Sequence, residues 1–426
     1  MTLIVVATFA VFALLGMPLA FTLGFASLGA LYAADIEFLV LPQRMMHAVD
    51  NFPLMAIPLF MLAGELMVKA GIMQRLIDFA NSIVGRVHGG LAHVTIVAGM
   101  ILAAVSGAAV ACASALGATM VPALRKHYED GYSSAVICSA ANLGPIIPPS
   151  NAMIVYALMA GSSVSVGGLF MAGVVPGLIL TTGFMGLASF ISWRRGYSLT
   201  GEKFNLMNVL RQSRKAFIIF MMPVIVVGGI VGGVFTATEG AAIAVVYAVA
   251  VGFFITRALK LSDLPGALFR AAVTSAMVGA LIAFAATVTF VFTIDMVPLK
   301  LSEMIQGFTS NPLVFMLLVM VMLIVVGMFI ESNAAYIMLV PLFAPIAVAY
   351  NIDPLLFGFL FVLNLVAGMM TPPVGVLLFV MCGITRISMS ELIRSSWPFI
   401  ALQYVVLGLC MVFPDLVTWL PRYLGF

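Results

Sequence analysis

Apolar residues run along this chain in blocks too long for the core of a soluble domain, parted by short polar intervals. A helical membrane span takes roughly 20 apolar residues. The first 32 residues are apolar but interrupted by Gly16-Met17-Pro18. Proline has no backbone donor and stops a helix interior, so the pattern predicts two short helices, 2–16 and 18–35. Further apolar blocks are 53–70, 91–124, 132–160, 168–193, 216–235, 238–256, 270–296, 312–350, 354–385 and 396–420. Blocks 91–124 and 312–350 are too long for one crossing and awkward for two, which predicts re-entrant helical hairpins. Blocks 132–160 and 354–385 are cut by Pro148-Pro149 and Pro372-Pro373. The stretch 71–90 mixes charge with a helical apolar stripe and reads as an amphipathic helix lying in the membrane interface, with 297–311 as its weaker counterpart.

Composition agrees with the pattern. Of 426 residues, 63% are hydrophobic and 8% charged, against about 25% charged in soluble domains. That excludes a soluble enzyme, a disordered chain and a nucleic-acid binder, and leaves an all-α polytopic membrane protein in a lipid bilayer. The four cysteines sit in apolar runs without CxxC spacing and read as buried thiols. No Lys or Arg precedes Arg44, so the basic start of a cleaved signal is missing.

The placement of basic residues gives orientation. Segment 193–215 holds Arg194, Arg195, Lys203, Arg211, Arg214 and Lys215 and is read as cytoplasmic. If 91–124 enters and leaves on one side, then 69–90, 125–131, 257–270 and Arg386 with Arg394 are cytoplasmic too. Only Arg44, Lys300 and Arg422 of the nineteen basic residues then lie outside, and both termini are external. Trp193, Trp397 and Trp419 fall at predicted span ends, where amphipathic rings settle.

The two halves repeat. Segment 142–154 (NLGPIIPPSNAMI) aligns without gaps with 366–378 (VAGMMTPPVGVLL) at an offset of 224 residues. Ser106-Gly107-Ala108-Ala109 lies 38 residues before Gly144, and Ser332-Asn333-Ala334-Ala335 lies 36 before Gly368. The orientation map opens the first hairpin to the cytoplasm and the second outward. Inverted repeats with broken helices mark secondary transporters that bind near the midplane. Two prolines free carbonyls at a depth where bare backbone is tolerated only beside a cavity or ligand. Freed carbonyls suit a cation, and exposed helix N-termini suit a carboxylate.

These motifs, LGPIIPPS (143–150), GMMTPPVGVLLFV (368–380), VFTATEGAAIAVVYA (234–248) and the Ser106-Gly107 tip, resemble the large (M) membrane subunit of tripartite ATP-independent periplasmic (TRAP) transporters, the DctM-like family. The resemblance covers essentially the whole chain. It implies an elevator-type transport domain and scaffold, a Na⁺ gradient with two or more ions, a small four-helix membrane subunit and a periplasmic substrate-binding protein. It also implies a bacterial inner-membrane location and an organic acid substrate, sialic acid or a C4-dicarboxylate, with the general likeness leaning to sialic acid. The family's first tip often reads Ser-Gly-Ser-Ser; here two hydroxyls are lost to Ala108 and Ala109.

On this reading the chain divides into scaffold helices and cytoplasmic arm (1–90), first hairpin and broken helix (91–160), and closing helix with cytoplasmic linker (161–215). The second half follows as scaffold and external arm (216–311), second hairpin and broken helix (312–386), and closing helix (387–426). A first Na⁺ site is expected at Ser106 and Asn142 with backbone oxygens of Gly144 and Pro145. A second is expected at Thr371 with carbonyls near Gly327, Gly368 and Met370; a Thr371 hydroxyl satisfied by its own helix carbonyl stays open as the alternative. Substrate candidates are Ser106, Ser150, Asn151, Ser332 and Asn333, with Glu331 tuning cation affinity or gating. Glu239 heads a helix and reads as structural; Glu65 and Asp295 are left to the partner subunit or the arms. Arg44, Asp50, Asp295, Lys300, Glu303 and Asp353 could meet a binding protein or be solvated loop charges.

No nucleophile–base pair, paired aspartates or HExxH lies at membrane depth, so an intramembrane enzyme is not supported. The permease half of an ABC importer would lack inverted hairpins. A Na⁺/carboxylate symporter working without a binding protein would share this architecture and stays open.

Overall fold

The computed structural model describes residues 1–84, 87–199 and 205–426. Arg86 and the linker residues 200–204, including Lys203, which entered the orientation count, lie outside the described residues. Described structure is almost wholly helical, and eight helices are long and apolar enough to cross a membrane.

The first half runs α1 (Thr2–Leu14), α2 (Leu19–Ala33), α3 (Val40–Val49), α4 (Ala56–Lys69) and the amphipathic α5 (Ile72–Val84). The Gly16-Met17-Pro18 break separates α1 from α2 as the pattern predicts. α3 was not anticipated, because its Gln43, Arg44 and His47 mask a short apolar stripe. The block 91–124 folds as a hairpin, α6 (Gly90–Ser106) and α7 (Ala109–Leu124). Gly107 makes the tip at φ +61°, the left-handed region that glycine enters at least cost. Then α8 (Asp130–Ala141) breaks before α9 (Asn151–Ala160), and α10 (Val166–Arg194) closes the half.

The second half has the same succession of hairpin, broken helix and closing helix, preceded by four helices where the first half has five. α11 (Leu206–Val231), which begins inside the segment read as linker, is followed by α12 (Ala237–Ala250) and α13 (Leu264–Ile294). The arm α14 (Val297–Phe308) precedes a second hairpin, α15 (Pro312–Phe329) and α16 (Ser332–Ala349). α17 (Pro354–Gly368) breaks before α18 (Val376–Thr385), α19 (Met389–Val412) closes, and a short α20 (Asp415–Tyr423) follows. The Pro148-Pro149 and Pro372-Pro373 peptides are both cis.

Packing exchanges the halves. The outer hairpin arm α7 lies against α18 of the second half, and α16 lies against α9 of the first. In the same way α4 packs on α12 and α2 on α13. The pairings sort these helices into two groups, hairpins with broken helices and α1–α4 with α11–α13. The groups touch where α4 meets α6 and α9, α13 meets α16 and α11 meets α6, and α5 packs on both α6 and α11. The sheath facing lipid is apolar, as Leu14, Phe269 and Val246 show by their exposure.

The four acids weighed in the sequence find partners. Glu65 accepts from Arg270 Nε at 2.8 Å, joining α4 to α13 inside the chain. Glu239 completes a capping box with Thr236. Asp295 accepts from the Thr2 amide and faces Lys300 of the arm at 3.8 Å; the Thr2 hydroxyl and amide hold its carboxyl well below the usual carboxylate range. Glu331 belongs to the second tip.

A close backbone approach joins α15 and α17: a Cβ on Gly368 would lie 2.7 Å from Gly327 Cα and 2.9 Å from Gly327 O. Gly368→Ala therefore lowers thermal stability by about 1–3 kcal/mol, the usual cost of overpacking. Gly228→Ala, where a Cβ meets nothing within 4 Å, leaves it undiminished; melting of the two purified variants in detergent makes the comparison.

Candidate functional site

Each hairpin tip rests on the break of its own half. At the first break α8 ends at Ala141 with Asn142 as its cap, and the chain turns through Leu143–Pro149 before Ser150 caps α9. Ser150 Oγ accepts from Met153 N at 3.3 Å and donates to Pro145 O at 2.6 Å, which pins the turn across its width. The tip closes from the other side. A Cβ on Gly107 would lie 2.9 Å from Pro149 O and 3.2 Å from Asn151 N, and one on Gly144 would lie 3.0 Å from the Ala108 carbonyl carbon. The structure thus brings Ser106, Gly144, Pro145, Ser150 and Asn151 together around one tip.

Asn142 faces elsewhere. Its Nδ2 donates to Val366 O at 3.0 Å and to Gln403 Oε1 at 2.9 Å. Val366 is the residue aligned with Asn142 in the second half, so these equivalent positions touch between the two broken helices. Gln403 is fully buried on α19, and its Nε2 donates onward to Met370 Sδ at 3.3 Å. One carboxamide chain therefore links the first break to the second.

The second break is tighter. Gly368 and Gly327 meet backbone to backbone, Gly375 N donates to Met328 O at 3.2 Å, and Leu377 N donates to Met369 O at 3.0 Å. Thr371 Oγ1 lies 2.8 Å from Ala367 O, its own helix carbonyl, and 2.9 Å from Tyr404 Oη. If its single proton goes to Ala367 and it accepts from Tyr404, one lone pair remains. At the tip, Glu331 caps α16 by accepting from Ala334 N at 3.3 Å. Its other oxygen accepts from Asn333 Nδ2 at 2.9 Å and Ser332 Oγ at 3.3 Å.

Buried polar atoms without partners show what this region can hold. Ser106 Oγ, Asn142 Oδ1 and Asn364 Oδ1 are buried oxygens with no hydrogen-bond partner. A buried acceptor left bare is costly, and neutral oxygens are the donor set that replaces the hydration shell of an alkali cation. Among the described residues no group of three His, Cys, Asp or Glu side chains could hold a transition metal. The donor set fits Na⁺.

The sequence reading missed Gln403, Tyr404 and Asn364. Asn364 is fully buried on α17 and donates to Met320 O at 2.8 Å. All three are neutral polar groups inside apolar runs, a signal open to the same argument that was applied only to acids.

Comparison with known proteins agrees with this architecture. The family described as "Tripartite ATP-independent periplasmic transporter, DctM component" matches residues 6–416. The chain is 35% identical over 416 residues to the sialic acid TRAP transporter large permease protein SiaM of Vibrio cholerae, covering 96% of each chain. It is 36% identical over 383 residues to the C4-dicarboxylate TRAP transporter large permease protein DctM of Pseudomonas aeruginosa, covering 90% of this chain and 89% of that one. In fold it is similar to the solved YdaH transporter of Alcanivorax borkumensis, with a TM-score of 0.67 at 15% identity over 98% of this chain and 99% of that one.

Thr371 and Tyr404 separate an ion ligand from a structural bridge. If the Thr371 hydroxyl is a Na⁺ ligand, Thr371→Val raises the Na⁺ concentration for half-maximal uptake several-fold, whereas Tyr404→Phe, which keeps the threonine hydroxyl, leaves it nearly unchanged. Equal shifts in the two variants would assign the hydroxyl to helix packing.

Proposed function

This chain belongs to the DctM family of TRAP transporter large permeases, and from that premise we propose that it carries an organic acid into the cell together with Na⁺ by an elevator movement. It is a multi-pass membrane transporter and not an enzyme. The observation that carries the reading is the set of buried, unpartnered oxygens at broken helices, each break covered by a hairpin tip.

A cation near Ser106 Oγ and the carbonyls around Gly144 and Pro145 with, toward the other half, Asn142 Oδ1 would satisfy the two side-chain oxygens that otherwise lie bare, while Pro145 O already accepts from Ser150. The second site draws on Thr371, Met370 and the carbonyls near Gly327 and Gly368, with Glu331 adjusting tip closure. Na⁺ supplies the positive charge that an acidic substrate needs, since no Lys or Arg lies in the hairpins or broken helices above their bases. Cations therefore bind first and the acid second. Ser106, Ser150, Asn151, Ser332 and Asn333 are the substrate's polar contacts in this scheme. Closing both tips lets the hairpin body move against the scaffold without exposing unsatisfied backbone to lipid.

The relatives named for sialic acid and for C4-dicarboxylates support an organic acid substrate, sialic acid being the first to test. In this proposal a small four-helix membrane subunit and a periplasmic binding protein complete the system in the bacterial inner membrane, with both termini periplasmic.

Proteoliposomes containing the chain, its small subunit and its binding protein take up the acid only when an inward Na⁺ gradient is imposed. Uptake that persists when K⁺ replaces Na⁺ would remove the coupling, and uptake without the binding protein would favour an autonomous symporter. A Cβ on Gly64 of α4 would lie 3.1 Å from Ser106 Cα, so Gly64→Leu wedges the two groups of helices apart at the tip. It lowers uptake at least tenfold while protein yield and gel-filtration profile stay near wild type.

A further inference from the structure

The two breaks are chemically unlike as places for an anion. At the first, the Asn151 and Ala152 amides at the start of α9 donate to no acceptor among the described residues. Asn151 Nδ2 is buried without a partner, in a residue 6% exposed, and a Cβ on Gly107 would lie 3.5 Å from it. The Ser106 hydroxyl beside it, in a residue 4% exposed, is equally unpartnered. Unpaired donors at a helix N-terminus form an anion cradle.

At the second break only part of this donor set is free. Gly375, aligned with Asn151, donates its amide to Met328 O, and Leu377, aligned with Met153, donates to Met369 O, which leaves the Val376 amide without an acceptor among the described residues. At the tip Asn333 Nδ2 and Ala334 N donate to Glu331, and Ser332 Oγ lies within reach of both Glu331 Oε1 at 3.3 Å and Met369 Sδ at 3.6 Å. With Ser332 aligned to Ser106, Glu331 stands in the register of Val105 in the first tip. The protein's own carboxylate thus sits among the tip donors where a second acidic group of the substrate would have to bind, and its charge repels that group.

We infer that the transported molecule is a monoanionic acid, its one carboxylate or sulfonate held at Ser106, Asn151 and the start of α9, and that Glu331 excludes dicarboxylates. This rests on the function proposed above and narrows its substrate class: it favours sialic acid-like monoacids over C4-dicarboxylates.

Binding of butyrate, succinate and N-acetylneuraminate is measured by thermal stabilisation of the purified chain in lipid nanodiscs, with NaCl or choline chloride at equal ionic strength. In Na⁺, at least one monoacid binds, and succinate binds no more than about twofold tighter than butyrate, the statistical gain of two equivalent ends. Asn151→Leu abolishes this binding. Glu331→Ala, which removes the carboxylate and frees Asn333 Nδ2 and Ala334 N, improves succinate relative to butyrate by about tenfold, the worth of one charge-assisted set. Should α16 lose too much stability without its cap, Glu331→Gly with Ser332 retained reads the same ratio. Succinate at least tenfold tighter than every monoacid in the wild type would overturn the inference and leave Na⁺-coupled acid transport standing. No Na⁺-dependent response to any of the three acids would overturn both.

Discussion

Backbone polar groups have no water to turn to inside a bilayer, and this constraint organises the molecule. A continuous helix satisfies it internally; a helix broken at mid-depth does not. Two broken helices are stable here because other elements cover each gap. The Ser106–Ala108 tip lies over the turn that Ser150 braces through Pro145 O. Met328 and Gly327 of the second hairpin close on Gly375 and Gly368. What remains uncovered is a few oxygens and donors, and these leftover groups define the chemistry available to ions and substrate.

The halves share the succession of hairpin, broken helix and closing helix but not a distribution of polar groups. The first break keeps its α9 N-terminus free and its tip small, with Ala108 and Ala109 beyond the glycine. The second break is sealed backbone to backbone and carries an acid in its tip. Gln403 connects them, accepting from Asn142 and donating to Met370. That link gives the two breaks a direct physical route by which a change in the geometry of one can bias the other. It also holds the halves in register where Asn142 meets Val366.

Much of the fold was legible in the sequence. The Gly16-Met17-Pro18 and Pro-Pro interruptions, the over-long apolar blocks and the amphipathic arms each follow from local rules, and each appears at the expected place. α3 and α20 were missed because short, partly polar interfacial helices leave no long apolar run. The site was only half legible. Ser106 was grouped with Gly144 and Pro145 from the repeat pattern, whereas the brace from Ser150 to Pro145 O emerges only from the fold of the turn. The turn of Asn142 toward Gln403 spans 261 residues, and nothing local in the chain announces it. Likewise, Tyr404 as partner of Thr371 follows from how α19 packs, a tertiary fact. Glu65 was left to the partner subunit or the arms because Arg270 comes beside it only once α4 and α13 pack.

The central claim is that the gaps in the two broken helices are cation sites. Cryo-electron microscopy of the chain in nanodiscs, at a resolution that shows ordered ions and with matched maps in NaCl and in choline chloride, tests it most directly. The account predicts Na⁺-dependent density within about 2.5 Å of Ser106 Oγ and the neighbouring carbonyls of the first break, a distance typical of hard cations on oxygen, and a second such feature beside Thr371. Identical maps in the two salts, with those oxygens paired to protein donors instead, would contradict it.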